Sequence, residues 1–539
     1  MIPSPGWLDR AVFYQIYPQS YADSNGDGIG DLPGLIQHLD YIQSLGIDAI
    51  WLNPCFVSPF QDAGYDVADY YRVAPRYGAD ADLQRLFREA ERRGIHVLLD
   101  LVPGHTSIEH PWFRESCRHE PNRYSDYYIW TDSAWTWDVP GLRLVSGYAE
   151  RHAAYVANFF YSQPALNYGF ACPDPHHKWQ QPVDAPGPQA VRREMKDIMR
   201  HWLELGASGF RVDMAFSLVK NDPNWVETSR LWQDVRAWLE REFPQAVLLA
   251  EWGRPRYAIP AGFHLDFMLP FGTPGYTSLL RKPTGHGPGS DPYGFSFFDR
   301  GGRGNIQEFL DNFLEHYTRT RGRGQIALAT GNHDTGPRIA AGRRQDEVEV
   351  IYAFLLSMPV APVIYYGDEI GMLGMSGLPS KEGSYNRSEV RTPMQWDASV
   401  NAGFSSAPAS QLYLPVEPGP ERPNVAAQDK DPASLLNRVR RLIALRKAHP
   451  ALSASGSFEV IHAKPGELPF VYRRSLGGES VLVGINPAAR PAEVALPASA
   501  LPGQPECLYG DPDALTRQGE QWLLRMGGVS ACMFLNLGA

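Results

Sequence analysis

Gly209-Phe210-Arg211-Val212-Asp213-Met214-Ala215 decides the fold. Phe210, Val212 and Met214 alternate with Arg211 and Asp213, the period of a strand. The two charged side chains therefore share one face. A charged pair on the inner face of a buried strand is costly unless it is paired or functional. A unit of helix, glycine and strand recurs on both sides of this stretch. That rhythm predicts a parallel α/β barrel with its active groups at the C-terminal ends of the strands.

Earlier in the chain, strands are expected at 12–17, 47–52 and 95–102, the last a near-continuous apolar run typical of a sheet covered on both faces. Later strands are expected at 247–251, 265–269, 325–330 and 363–366, which makes eight in all. Leu35, Leu39, Ile42 and Leu45 line one amphipathic helix stopped by Gly46. Leu83, Leu86, Phe87 and Ala90 line a second, and Val191, Met195, Ile198, Trp202 and Leu205 a third. Eight such units with right-handed crossovers close into a (β/α)8 barrel.

The rhythm breaks at 104–179, a stretch rich in aromatics, Pro, Asn and Ser, read as a domain inserted after the third strand. The barrel thus takes 1–103 and 180–454. From 455 to 539 short alternating strands with Gly and Pro turns predict a C-terminal β-sandwich. The long polar loop after Glu369 reaches about Pro432, and a loop of that length inside a domain more often covers a site.

The net charge of −10 over 539 residues gives no basic stripe for nucleic acid. Five widely spaced cysteines without a CxxC pair argue against a disulfide framework or a zinc site. The most apolar stretch, 351–366, is broken by Pro359 and Pro362 and is too short to span a membrane. A cytoplasmic, reducing location is the expectation. Nothing in the sequence fixes the oligomeric state.

Four polar clusters fall at or just past strand ends: Asp100 with His105, Arg211 with Asp213, Glu251, and His333 with Asp334. A barrel gathers them around one mouth. Two facing carboxylates are what glycoside hydrolysis requires, one as acid and one as nucleophile or base. Taken singly, Arg211–Asp213 reads equally well as a structural ion pair, and either histidine as a packed one. Four clusters at four suitable strand ends favour chemistry. Asp100 precedes the mouth and reads as a structural acceptor.

Asp100-Leu-Val-Pro-Gly-His105, Gly209-Phe-Arg-Val-Asp213, Ala250-Glu251-Trp and Gly331-Asn-His-Asp334 resemble, in order, the four signature regions of the alpha-amylase superfamily of retaining alpha-glycosidases. Gly64-Tyr65-Asp66 and Ile364-Tyr-Tyr-Gly-Asp-Glu369 are similar to two further signatures. Arg391-Thr-Pro-Met-Gln-Trp396 and Asn401-Ala-Gly-Phe404 resemble the oligo-1,6-glucosidase and alpha-glucosidase branch. The resemblance implies that Asp213 is the nucleophile, Glu251 the general acid/base and Asp334 the stabiliser of the distorted sugar. It implies that Arg211 keeps Asp213 ionised and that His105 and His333 donate to the bound sugar. It places Tyr65, Asp66 and Arg391 at the closed end of that subsite.

Asp23-Ser-Asn25-Gly-Asp27-Gly-Ile29-Gly-Asp31 offers oxygens at alternate positions, which suits a hard cation such as calcium, although an Asx-rich turn is the alternative. The loop is similar to a structural calcium site of the same branch, with the Ile29 carbonyl among the ligands. Three departures stand out. Gly104 replaces the family's calcium-binding Asn, which speaks against an ion at the joint with the inserted domain. Ala165 lacks the carboxylate of the corresponding Gln-Pro-Asp-Leu-Asn stretch, and Met214 is not one of the small residues found after the nucleophile. The substrate implied is a short alpha-glucoside. The alternatives are a transglucosylase or trehalose synthase-like isomerase with the same residues and, more remotely, a non-catalytic binding subunit.

Overall fold

Eight parallel strands close on themselves: β1 (Phe13–Ile16), β2 (Ala49–Leu52), β3 (His96–Leu101), β4 (Gly209–Val212), β5 (Val247–Ala250), β6 (Leu265–Phe267), β7 (Gln325–Ala329) and β8 (Ala361–Tyr365). Each pairs with its neighbours in sequence, and β8 pairs with β1. The structure, a computed structural model, describes residues 4–136, 139–281, 296–382, 387–501 and 503–537. All eight expected strands are present, most of them a residue or two shorter than their apolar runs.

Alternation divides the barrel as the opening stretch requires. Phe210, Val212, Leu248 and Ala250 join the layer shared with the helices, while Phe13, Trp51, Leu98, Val247, Leu249 and Phe267 fill the barrel's lower interior. Each large side chain buried there contributes about 1.5–3 kcal/mol, which offsets the polar layer above it. That upper layer holds Gln15, Asp100 and Arg211, all buried. Gly209 has φ +145°, and a Cβ there would lie 2.0 Å from the Val247 carbonyl oxygen, so a side chain would push β4 off β5.

The crossover helices are α1 (Leu32–Gln37), α2 (Leu39–Leu45), α3 (Asp80–Glu91), α4 (Pro186–Glu204), α5 (Val226–Glu242), α6 (Gln307–Thr320), α7 (Gln345–Ser357) and α8 (Leu435–Ala448). The single helix expected around Leu35–Leu45 is split at His38. That imidazole bonds the Gly34 carbonyl at 2.9 Å and stacks on Trp396 with centroids 3.8 Å apart, which turns the chain between α1 and α2.

Between β3 and α4 the chain forms a short helix, Pro111–Ser116, and a small antiparallel pair, Arg143–Val145 with Tyr155–Ala157. Ile129, Val156, Ala165 and Phe170 make a separate apolar cluster there. Ala165 is buried in that cluster, so packing accounts for the absent carboxylate. At the far end of the chain a five-stranded and a three-stranded antiparallel sheet enclose Val471, Leu482, Leu496, Trp522, Leu524 and Phe534. This is the expected sandwich. Among the described residues no helix is long and apolar enough to cross a membrane.

Candidate active site

The strand tops converge on a cavity of about 350 Å³, near the lower end of the ~300–1,000 Å³ usual for ligand sites. Its inner end presents Asp62, Tyr65, His105, Asp213, Glu251, Asp334 and Arg387. Its mouth is Phe159, Met214, Phe216, Leu269, Pro270 and Phe271. A larger hollow, about 530 Å³, lies at the opposite end of the barrel beside Tyr317, Arg321 and Gln325, away from every one of these carboxylates.

Arg211 is the hub. Its Nη1 is 2.7 Å from Asp100 Oδ1 and 3.1 Å from Asp213 Oδ1, and its Nη2 is 2.9 Å from Glu251 Oε2. The register explains the first contact, because Asp100 of β3 lies beside Arg211 of β4. Trp51 donates its indole N–H to Asp100 and stands under the guanidinium, 4.9 Å from its centre. Breaking one partner out of such a buried cluster costs about 3–5 kcal/mol.

One cation faces three carboxylates in this cluster. Burial and then the facing Glu251 raise the Asp213 carboxyl well above its ordinary value, and Arg211 pulls it back only in part. The resemblance implies that Arg211 keeps Asp213 ionised; here burial and Glu251 outweigh the pull of Arg211. Asp100 is pushed up to about 6 by burial, against the Arg211 charge and its bonds from Trp51 and Tyr65.

Met214 has φ +39°, a left-handed backbone costly for a side chain of that size. The strain aims its N–H at Glu251 Oε2, 3.0 Å away. The residue after Asp213 therefore binds the Glu251 carboxylate through its backbone, whatever its side chain.

His333 and Asp334 follow β7. His333 Nδ1 faces the amide groups of Gln15 and Asn53, at 2.9 and 3.3 Å, which makes Nδ1 the acceptor and leaves the proton on Nε2. That Nε2 is 3.2 Å from Asp334 Oδ2. Burial drives His333 well below its ordinary value, so it is neutral. Burial also works against an ionised Asp334, but His333, Arg387 and Arg391 outweigh it and hold this carboxyl well below the usual range. Because His333 is neutral, we assign that effect to the two arginines, 2.9 and 3.0 Å from Asp334 Oδ1. Asp334 is thus held as an anion, whereas Asp213 is pushed toward its protonated form.

Arg387 also pairs with Asp62, and Gln163 donates to the other Asp62 oxygen at 2.7 Å. Both members of the pair are 5% exposed. This bridge joins the loop after β2 to the loop after β8 at the inner end of the cavity. Neither residue stood out in the sequence, since both sit on loops without periodicity. Nearness to Tyr65 and Arg391 was the one available clue.

Of the expected binding residues, Asp66 and Arg391 lie outside the cavity lining, and His105 lines it with both ring nitrogens already engaged. Asp66 does not line the cavity: it accepts from Ser58 Oγ and from the N–H groups of Gln61 and Asp62, and so shapes the loop that carries Asp62. Arg391 lies behind Asp334, bonded also to the His333 carbonyl at 2.8 Å. His105 lines the cavity, but its Nε2 meets the Tyr65 carbonyl at 3.0 Å and its Nδ1 the Asn158 amide at 3.1 Å. It therefore holds Tyr65 in place and donates nothing to the cavity as it stands. Tyr65 stacks parallel on His333, with centroids 5.3 Å apart.

Gly104 leaves room for Asn158, whose Nδ2 would be 2.7 Å from a Cβ at that position. Lys220 Nζ donates to Asn158 Oδ1 at 2.9 Å and to the Ser217 carbonyl at 2.6 Å. An ammonium thus supplies the positive charge at this joint. Burial pushes it down to about 8.

In the 23–31 loop, Asp23 accepts from the N–H groups of Asn25, Gly26 and Gly28 and from Ser405 Oγ. Four bonds are about the capacity of a carboxylate. Asn25 and Asp27 each accept one backbone N–H, and Asp31 accepts from Ser24 and Gly34. Among the described residues no group of three His, Cys, Asp or Glu side chains converges as a metal site. As it stands, the donor set Asp23, Asn25, Asp27, Ile29 and Asp31 fits an ion only if Asp23 gives up a bond.

The alpha-amylase catalytic-domain family model matches residues 15–247 and 303–455. The chain is 34% identical over 533 residues to a trehalose synthase/amylase of Mycobacterium tuberculosis, covering 91% of this chain and 84% of that one. It is 32% identical over 558 residues to an oligo-1,6-glucosidase of Parageobacillus thermoglucosidasius, covering 89% and 90%. The crystal structure of a trehalulose synthase from Pseudomonas mesoacidophila superposes with a TM-score of 0.79 at 26% identity, covering 99% and 100%. A barrel with three carboxylates at its strand tops, a match over most of its length and relatives of this kind agree: the chain belongs to the alpha-amylase family, glycoside hydrolase family 13.

Proposed function

We propose that the protein is a retaining alpha-glucosidase that removes single glucosyl units from short alpha-glucosides. One observation carries the reading: Asp213 and Glu251 sit on neighbouring nitrogens of one guanidinium, in a cavity also lined by the buried Asp62–Arg387 pair. We read that pair as the closed end of the cavity. Glu251, acting in its protonated form, gives its proton to the glycosidic oxygen. Asp213 forms the bond to the anomeric carbon as the bond to the leaving sugar breaks. The resulting glucosyl ester is attacked by water, whose proton returns to Glu251. Asp334 and the Nε2–H of His333 bind ring hydroxyls.

A separation of about 5–5.5 Å between the carboxyls suits a nucleophile, while an inverting enzyme needs roughly 6.5–9.5 Å. Attachment to one guanidinium supports the shorter spacing. An alpha substrate is therefore expected to release an alpha sugar first. Proton NMR of the first-formed product checks this, and a beta anomer rules the mechanism out.

The apolar mouth favours a second reading, glucosyl transfer or isomerisation. Six apolar residues surround the place of the leaving sugar, and Asn332 Oδ1 there already accepts from Thr335. A leaving sugar held by apolar faces rather than fixed bonds can turn and attack the ester again. Relatives named trehalose synthase are consistent with this. Incubation with maltose, isomaltose, trehalose and sucrose decides: free glucose marks hydrolysis, and a new disaccharide marks transfer.

For the 23–31 loop we propose calcium as a structural ligand, on the chemistry of its alternating oxygens. An ion bound only to the native state stabilises it by mass action. Chelation is then expected to lower the melting temperature and calcium to restore it. Equal melting with and without chelator would assign the loop's order to its Asx turns. The five cysteines are all free thiols, which supports the proposal of a reducing, cytoplasmic location.

A further inference from the structure

Asp266 of β6 lies in register beside Ala250 of β5, one residue before Glu251. It is fully buried and does not line the cavity. Its Oδ1 accepts from the N–H groups of Trp252 at 2.9 Å and Gly253 at 3.2 Å, and its Oδ2 from that of Arg254 at 2.8 Å. These are the three residues that immediately follow Glu251. Burial pushes the Asp266 carboxyl up to about 8, against the pull of these N–H bonds. Three bonds to one buried acceptor fix the turn, because a buried N–H left without a partner is costly.

The turn is also pressed against the mouth. Gly253 has φ +70°, and a Cβ there would lie 2.7 Å from the Phe271 carbonyl oxygen. A Cβ on Gly272 would lie 2.6 Å from the Gly253 carbonyl oxygen. Glu251 is thus held at two points. Arg211 and the Met214 N–H hold its carboxylate, and Asp266 holds the backbone that carries it.

We infer that Asp266 is a positioning residue for the general acid, setting where Glu251 stands relative to the glycosidic oxygen. The inference rests on the reading of Glu251 as the acid/base. A misplacement of about 1 Å at a reacting group costs on the order of 10²-fold. The loss must be felt where proton donation matters and be small where it does not.

Asp266→Asn keeps the size, but its amide NH2 meets a backbone N–H. On maltose or isomaltose, kcat/KM is expected to fall about 10- to 10²-fold. On a dinitrophenyl alpha-glucoside, whose leaving group needs no proton, the fall should be less than about threefold. In a Glu251→Gln background Asp266→Asn should add almost nothing on the natural substrate, since the group it positions is gone. Equal proportional losses on both substrates, or full additivity with Glu251→Gln, would overturn the inference. If Asp266→Asn does not fold, Gly253→Ala displaces the same turn and is expected to give the same split between substrates. Glu251→Gln alone tests the acid/base assignment, so its failure is distinguishable from failure of the Asp266 role.

Discussion

Asp213→Asn is expected to reduce turnover of a natural alpha-glucoside by on the order of 10⁴-fold or more while leaving the protein folded. The amide cannot form the glycosyl ester, and nothing else in the cavity stands in its place beside Glu251. The effect on stability has a definite sign. Burial and Glu251 raise the Asp213 carboxyl, so the native state binds this proton more tightly than the unfolded chain. Such a group withdraws stability as pH rises from the unfolded value near 4 toward the raised native one. At neutral pH the ionised form is therefore a burden on the fold. Asn removes that burden and its oxygen can still accept from Arg211. The melting temperature of Asp213→Asn should equal or exceed that of the parent. A collapse of activity together with a lower melting temperature would point to a structural role instead. Glu251→Gln is expected to lose about 10²- to 10⁴-fold on natural glucosides but much less on an activated aryl glucoside, because only the former need a proton. Near-normal turnover of a natural glucoside by either variant would refute the assignment.

What could be read from the chain follows a physical line. A strand fixes its side chains by a period of two, so Arg211, Asp213 and Glu251 were legible as soon as the strands were. His333 and Asp334 were legible because β7 ends immediately before them. Asp62 and Arg387 were not, because a loop has no period and its path is set by distant contacts. Asp62 owes its place to Asp66, which accepts the N–H groups of Gln61 and Asp62. The sequence therefore points to Asp66, beside Tyr65, where the structure brings Asp62 to the cavity. The same holds four residues apart for Arg387 and Arg391: one faces the cavity, the other braces Asp334 from behind. The role of His105 was hidden in its hydrogen bonds, since the residue type alone does not say that both ring nitrogens are engaged. The split between α1 and α2 depends on Trp396, more than 350 residues away in sequence, and no local signal announces it.

The inner wall carries the second large expected effect. Asp62, Arg387 and Asp334 form a continuous ion pair network across the end of the cavity. Asp62 is tied to the inserted segment through Gln163, and Arg387 belongs to the long loop after β8. A substrate that continued past this wall would have to part a buried pair, leaving charges unsatisfied at a cost of about 3–5 kcal/mol. The same charges reward a chain end, whose free hydroxyls pair with them, and hydrogen bonds to charged groups contribute about 1.5–3 kcal/mol each. Maltooligosaccharides blocked at the non-reducing end should therefore survive while unblocked ones are consumed from that end. Asp62→Ala is expected to lower kcat/KM on a short glucoside by about 10²-fold or more, because it removes one hydroxyl partner and frees the Arg387 head. Removing both charges, in Asp62→Ala with Arg387→Ala, avoids a lone buried charge and should fold better than either single variant. It opens the end of the cavity, so the ratio of blocked to unblocked cleavage should rise even as overall activity falls. Labelled blocked substrates, followed by chromatography, measure that ratio directly. Rapid cleavage of blocked chains by the parent protein, or a fast drop in starch viscosity, would mean that the Asp62–Arg387 bridge parts readily and that the cavity works as an open cleft.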